Sequence, residues 1–249
     1  MVRDAEQLDV DPKDWPEERK GTRRPVPEDQ FGGRLSDAFL LDLEVTEARD
    51  LAPHVRLVTF GSSDLVGFKH VAGQDVMIEF PAGDGRSVRR RYSIRRTDPD
   101  LGRLDIEAEL HDHAGVGTRW IAGAGAGDRL HAIGPRGKIG LRSGCDEHVF
   151  VADDSAMPAA FAMLEALGPE ASATGFFVTR HGPHSRPGPQ PPASVRQVWL
   201  EEADLADALV QWWSGARVEG KALRAMSTGS ATSSTAPGPR WSTPDVRRR

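Results

Sequence analysis

"EHVFVADDSAMPAAFAMLEALG", residues 147–168, contains the change of pattern that determines the fold. A short apolar strand runs into an Asp-Asp-Ser turn, and a helix follows from about Pro158 to Leu167. Two further strand-like runs come next, "ATGFFVT" at 173–179 and "VRQVWL" at 195–200, before the amphipathic stretch "EADLADALVQWW". Because strands alternate with helices, this part of the chain predicts a parallel sheet in a doubly wound α/β domain.

Upstream of this stretch the pattern is one of short strands. Strand-like runs occupy 39–46, 54–60, 74–80 and 102–111, and glycine-containing turns separate several of them. Only "VGTRWIAGA", 116–124, is helical in character. Several short strands at close spacing are typical of an antiparallel barrel, so we predict a β-barrel followed by the α/β domain.

The composition divides the chain into four parts. We predict a disordered N-terminal tail over 1–38, a barrel over 39–144, an α/β domain over 145–226 and a disordered low-complexity tail over 227–249. The first tail is charged and rich in proline, and the second consists mainly of Ser, Thr, Ala, Gly and Pro.

The end of the α/β domain is expected to be incomplete. "ARVEGKALRAM", 216–226, predicts the start of a helix of about two turns, which is too short to be stable without packing. With only three predicted strands, the sheet would keep an unprotected edge. Our hypothesis is that the residues after Met226 are not native to the sequence family, for example through a change of reading frame.

Charge and cysteine content exclude several classes of protein. A net charge of −5 gives no general attraction to nucleic acid or anionic membranes. No apolar run reaches the roughly 18–20 residues that span a bilayer, and the N-terminus lacks the apolar stretch of a signal peptide, so we expect a cytoplasmic protein without membrane insertion. Cys145 is the only cysteine, which rules out an intrachain disulfide and a four-cysteine iron–sulfur cluster.

Histidines give no clear metal site in the sequence. His111 and His113 would share one strand face, and His181 and His184 lie close together in a proline-rich stretch. Neither pair has an evident third ligand, so we predict no metal site.

The segment "RRRYSIRR", 89–96, concentrates positive charge in an acidic chain. Nucleic-acid binding would need this charge to continue over a wide surface, but glutamates on neighbouring strands keep the patch narrow. A pyrophosphate needs only one or two arginines, and a nearby tyrosine can lie against a flat heterocycle. A solvated strand with surface arginines is the alternative. Strand alternation would place Arg90, Tyr92, Ile94 and Arg96 on one face and Arg89, Arg91, Ser93 and Arg95 on the other.

Two helix starts could bind phosphate or a nucleotide. In "HAGVGTRW", Gly115 and Gly117 leave backbone N–H groups accessible, and Thr118 can cap the helix or donate a hydrogen bond. The second start follows Asp153 and Asp154, at the position where doubly wound domains bind nucleotides, but it lacks G-x-G-x-x-G. Ordinary N-caps remain the alternative at both.

Taken together, four motifs resemble one family. R-x-Y-S at 90–93, G-x-G-T-R-W at 115–120, "GPRG" at 134–137 and "ADDSAMPA" at 152–159 are similar to those of siderophore-interacting proteins. These are FAD-dependent ferric-siderophore reductases of the ferredoxin–NADP reductase superfamily. The resemblance extends well over roughly 39–167 and weakly beyond, and it implies an FAD-binding barrel and an NAD(P)-binding-like domain.

The resemblance implies a role for each motif residue. Arg90 would pair with the FAD pyrophosphate, Tyr92 would pack on the isoalloxazine or ribityl group, and Ser93 would lie near the redox-active flavin nitrogen. The phosphate cradle would consist of Gly115, Gly117 and Thr118, and the reduced-nicotinamide site would contain Asp154 and Ser155. No catalytic side chain is implied, because the cofactors carry the chemistry.

The implied activity is the reduction of a ferric siderophore to release Fe(II), with NAD(P)H as electron donor. Arg95, Arg96 and Lys138 are candidates for a basic rim, hereafter the substrate rim, that attracts an anionic ferric complex. A merely solvated surface is the alternative for these three residues. Alternative functions are a flavin reductase or electron donor to a partner protein, and a flavin-binding remnant with impaired turnover.

Overall fold

The structure, a computed structural model, describes residues 24–25, 39–83, 85–111, 114–141, 145, 147–191, 194–215 and 223–228. Its first sheet is antiparallel and contains eight strands: β1 (Arg24–Pro25), β2 (Phe39–Ala52), β3 (Val55–Gly61), β4 (Asp75–Gly83), β5 (Arg86–Ser93), β6 (Arg96–Asp98), β7 (Arg103–Glu109) and β8 (Arg129–Arg136). The order is β5-β4-β8-β2-β3-β7-β6, with β1 paired to β2, and β5 also contacts β7 across the curled sheet. The predicted antiparallel barrel architecture is thus confirmed.

Alternation of apolar residues creates the core of this sheet. On β7, Leu104, Ile106 and Ala108 are buried, as their spacing predicts. They join Phe60 and Phe80 in one cluster, which helix α1 (Val116–Gly123) closes on one side. The sheet therefore holds β5 and the start of α1 next to each other.

The second sheet is parallel, with the order β11-β10-β9-β12. Its strands are β9 (Glu147–Asp153), β10 (Ser172–Val178), β11 (Ser194–Leu200) and β12 (Leu223–Thr228). Helix α2 (Met157–Glu165) packs in one apolar cluster of this sheet and α3 (Leu205–Gly215) in another. The predicted doubly wound arrangement is confirmed.

The end of the second sheet differs from our prediction. Of the segment 216–226 that we predict as the start of a helix, residues 216–222 lie outside the described residues. Leu223–Thr228 form a strand that pairs in parallel with β9. Leu, Arg, Ala and Met favour helices locally, but the open edge of β9 offers backbone hydrogen bonds that override this preference. The sheet therefore has a fourth strand, which continues past Met226.

Most of the two predicted tails lies outside the described residues. Within the first, Arg24–Pro25 pair with β2. Among the residues that the structure describes, none of the helices combines the length and the apolar character needed to cross a membrane.

A buried ionic network joins the two sheets. Arg95 donates from Nε to Glu107 at 2.7 Å and, through both terminal nitrogens, to the carboxylate of Glu165 on α2 at 2.7 Å each. Arg186, from the loop after β10, donates to the other oxygen of Glu107. Both guanidinium groups lie over the ring of Phe161, at 5.7 and 5.3 Å from its centroid. This network links β7 of the first sheet to α2 and to the loop after β10.

Candidate functional site

Three of the predicted cofactor residues meet at one point. A Cβ atom at Gly117 would lie 3.0 Å from the hydroxyl of Tyr92 and 3.3 Å from Cγ of Arg90. Gly117 is the second residue of α1 and is buried. The absence of a side chain here lets the helix backbone approach β5, so a phosphate could contact the arginine and the helix amides together.

Three consecutive arginines of β5, Arg89, Arg90 and Arg91, have different partners. Arg89 is ion-paired with Glu79 at 3.1 Å, and Arg91 with Asp75, both on β4. The guanidinium of Arg90 donates instead to a backbone carbonyl, that of Arg89, at 2.9 Å, and has no carboxylate partner among the described residues. Of these three arginines, Arg90 is thus the one whose charge is available to an anion.

Tyr92 is held as a neutral phenol. Burial raises its pKa to about 12, although the nearby Arg90 charge lowers it in part. Its ring meets that of Phe80 edge-on, with 5.8 Å between the centroids. At neutral pH the hydroxyl therefore keeps its proton and can donate a hydrogen bond.

The start of α1 has the form of an anion site. Its N-cap is Gly115, which provides no side-chain cap, and the first backbone bond of the helix runs from Arg119 N–H to the Gly115 carbonyl at 3.0 Å. The preceding N–H groups have no intrahelical acceptor. Thr118 and Ser93 are half-buried, and within the described ranges neither hydroxyl has a hydrogen-bond partner. These residues fit a bound dinucleotide.

Replacing Gly117 tests this cradle. We expect Gly117→Val to weaken FAD binding by about tenfold or more, because its side chain would displace Tyr92 or Arg90, and a 1.4 kcal/mol loss already corresponds to tenfold. Fluorescence titration of apoprotein with FAD measures the change. Gly123→Val is the matched control, since nothing lies within 4 Å of its Cβ position at the other end of α1. Equal losses in both variants would show that the effect is not specific to the cradle.

The aspartates after β9 separate into two roles. The side chain of Asp153 accepts bonds from the Ser155 hydroxyl at 2.8 Å and from the Ala156 N–H at 2.9 Å, so Asp153 caps the turn into α2. Asp154 is only 4% exposed, and its Oδ2 accepts the N–H of Arg180 at 3.3 Å. Of the two residues predicted for the nicotinamide site, Ser155 is exposed and the preceding Asp154 is buried.

One of the three residues of the predicted substrate rim, Arg95, is buried. Arg95 is 5% exposed and its guanidinium is fully engaged by Glu107 and Glu165, so its placement on the rim was wrong. Helix α2 contacts β7, and its Glu165 covers the guanidinium of Arg95. Arg96 and Lys138 are both exposed, although Arg96 also contacts Glu165 at 3.2 Å.

A cluster that the sequence did not indicate lies where the end of β7 meets the residues that follow β9 and β10. Glu109, Asp154 and His181 come together, and the ring of His54 stacks on that of His181 with 3.6 Å between centroids. Burial and the neighbouring His181 lower the pKa of His54. These residues come from the β2–β3 turn, β7 and the ends of β9 and β10, so no spacing in the sequence signals them.

Comparisons with known proteins agree with this architecture. A sequence profile described as "Siderophore-interacting FAD-binding domain" matches residues 71–139, and one described as "Siderophore-interacting protein" matches residues 145–232. The second match extends beyond Met226, the limit that we had set for family sequence.

Individual relatives give the same result. An uncharacterized protein of Mycobacterium tuberculosis is 29% identical over 203 residues, which cover 71% of this chain and 69% of that protein. The ferric vibriobactin reductase ViuB of Vibrio cholerae is 28% identical over 154 residues, covering 54% of this chain and 57% of ViuB. The crystal structure of a siderophore utilization protein from T. fusca superposes with a TM-score of 0.66 at 27% identity, covering 78% of this chain and 82% of that one. The chain therefore belongs to the siderophore-interacting protein family.

Proposed function

We propose that the protein is an FAD-dependent oxidoreductase that reduces ferric siderophores and releases Fe(II), with electrons from NAD(P)H. The observation that carries this proposal is the convergence of Arg90, Tyr92 and Gly117 at one point. They bring together a guanidinium without a carboxylate partner among the described residues, a neutral phenol and an open helix start. The match to a siderophore-interacting FAD-binding domain supports the identity of the cofactor.

The residues of this site would contact different parts of FAD. The Arg90 guanidinium would neutralise the pyrophosphate charge, and the α1 amides near Gly117 would donate to phosphate oxygens together with the Thr118 hydroxyl. Tyr92 would pack its ring along the cofactor, and the free Ser93 hydroxyl would hydrogen-bond to the flavin ring. When bound, FAD supplies the redox chemistry by accepting hydride from a nicotinamide and passing single electrons to Fe(III).

The donor side lies at the carboxyl end of β9, where doubly wound sheets bind nucleotides. Ser155 is exposed there and would contact the reduced nicotinamide, with Asp154 behind it. The fourth strand β12 supports β9 from its other side, which favours a working donor domain over a remnant.

The substrate assignment is supported by the names of related proteins. One relative is named ferric vibriobactin reductase, and another, from Acinetobacter baumannii, is named ferric acinetobactin reductase, at 28% identity over 83 residues. Arg96 and Lys138 would form the basic part of the rim that an anionic ferric chelate approaches.

Anaerobic spectra of the purified, FAD-loaded protein test the proposal. We expect NADH or NADPH to bleach the flavin absorption, and a ferric siderophore to restore it while an Fe(II) chelator develops colour. If free flavin or a redox partner reoxidises the protein and ferric siderophores do not, the protein is a flavin reductase or an electron donor instead. Flavin that neither nicotinamide bleaches would indicate a remnant. A protein that cannot be loaded with FAD would refute the proposal.

Salt dependence tests the substrate rim. If the ferric complex is anionic, we expect kcat/KM to fall as salt rises, because screening shortens the reach of the field to about 8 Å near physiological ionic strength. Lys138→Gln should flatten the dependence, since it removes one of the two exposed charges. Turnover that does not change with salt would show that the rim does not steer the substrate.

A further inference from the structure

Three side chains at the junction of the two sheets have the arrangement of metal ligands. One carboxylate oxygen each of Glu109 and Asp154 and one ring nitrogen of His181 all lie within 4.8 Å of one another. Glu109 is the last residue of β7, and the other two follow the carboxyl ends of the adjacent parallel strands β9 and β10. A single ion between them could therefore contact ligands from both sheets.

A second observation points to a missing ligand at this cluster. Asp154 is 4% exposed, and its Oδ1 has no hydrogen-bond partner in the part of the chain that the structure describes. An unsatisfied buried polar atom destabilises the folded protein, and more so when it carries charge. Buried carboxylate oxygens are therefore normally paired with a proton donor or a cation.

The neighbours of the cluster allow an ion to enter. Arg180 forms an ion pair with Glu109 at 2.6 Å, but its side chain is 68% exposed. Its guanidinium would therefore stay hydrated if a metal ion displaced it from the carboxylate. Arg186 hydrogen-bonds to the backbone carbonyl of Asp154, at 3.5 Å, and not to its carboxylate. The His181 side chain is 35% exposed, which opens a route from solvent, and its stacking on His54 fixes the plane of its ring.

We propose that Glu109, Asp154 and His181 bind a divalent first-row transition-metal ion. Two carboxylates and one imidazole are oxygen and nitrogen ligands of the kind that Mn(II), Fe(II), Co(II) and Zn(II) accept, and the described cluster contains no thiolate that would favour softer ions. The ion would satisfy Asp154 Oδ1 and link β7 to the ends of β9 and β10. The sequence did not predict this site, because Glu109 and Asp154 are distant from His181 along the chain.

Calorimetric titration of the full, FAD-loaded chain with CoCl₂ tests this proposal. We expect saturable binding of one Co(II), and at least about tenfold weaker binding in Asp154→Asn and His181→Ala, since even outer-shell changes cost about 10–100-fold in metal affinity. His184→Asn is the matched control, because it removes an exposed imidazole from the same loop. Arg180→Gln should bind Co(II) more tightly, because it removes the cation that competes for Glu109.

The readout does not depend on turnover. Circular dichroism and FAD binding establish that each variant is folded, so weaker Co(II) binding in a folded protein is specific to the site. Absence of saturable binding in the wild type, or equal losses in His184→Asn and His181→Ala, would overturn the proposal. The proposal would also be overturned if Asp154→Asn left Co(II) binding unchanged and raised the KM for NADPH. That result would indicate that Asp154 Oδ1 contacts the nicotinamide and not a metal ion.

Discussion

Arg95→Met lowers the free energy of unfolding by about 3–5 kcal/mol, the loss expected when one partner of a buried ion pair is removed. Arg95 neutralises Glu107 and Glu165 at once, and Glu107 is itself buried. Without Arg95, Arg186 is the one ion-pair partner that Glu107 keeps among the described residues, and the bidentate link between the first sheet and α2 is lost. Unfolding in urea, followed by tryptophan fluorescence, measures the change.

Arg96→Met is the matched control for this prediction. Arg96 contacts the same carboxylate, but its side chain is 59% exposed, so the expected loss is only about 0.2–1 kcal/mol. Similar losses in the two variants would contradict the assignment of Arg95 to the domain junction.

Acid unfolding gives a second readout of the same network. Burial alone would raise the pKa of Glu165, but the hydrogen bonds from Arg95 and from the Gln190 N–H outweigh it and hold the pKa at about 2, below the ordinary 4.5. A depressed pKa in the folded state adds stability above pH 4.5 that is lost as the pH falls toward 2. In Arg95→Met this acid-dependent loss should be smaller, because Glu165 then has a pKa closer to its ordinary value.

Arg90→Ala is expected to weaken FAD binding by about ten- to more than a hundredfold, or roughly 1.5–3 kcal/mol, through loss of a charge-assisted bond to phosphate. The reason lies in the structure of β5, where Arg90 is turned toward Gly117 and has no carboxylate partner among the described residues. Fluorescence titration of the apoprotein with FAD measures the dissociation constant.

Arg89→Ala provides the comparison. Arg89 is ion-paired with Glu79 on the neighbouring strand, so its removal should change FAD affinity much less. If both variants lost the same affinity, the general positive charge of the strand would hold the cofactor and the specific geometry of Arg90 would not.

The sequence by itself determined the architecture, and it led to the prediction that Arg90, Tyr92 and Gly117 belong to one cofactor site. Apolar alternation at Leu104, Ile106 and Ala108 is a local property that needs only one buried face, and it correctly indicated a strand. The strand–turn–helix stretch at 147–168 likewise has one structural solution. Arg90, Tyr92 and Gly117 were predicted as site residues from motifs, because chemistry at a phosphate site restricts the residue types in a short stretch of chain.

Only the tertiary structure decided which faces are covered and what meets at the junction. Alternation placed Arg95 on a face, but the packing of α2, seventy residues later, buried it against Glu165. The edge of β9 turned a helix-favouring segment into β12. Glu109, Asp154 and His181 are brought together by three separate strand ends. Long-range packing energies set all three outcomes, and they depend on residues too far apart in the chain for any local pattern to contain them.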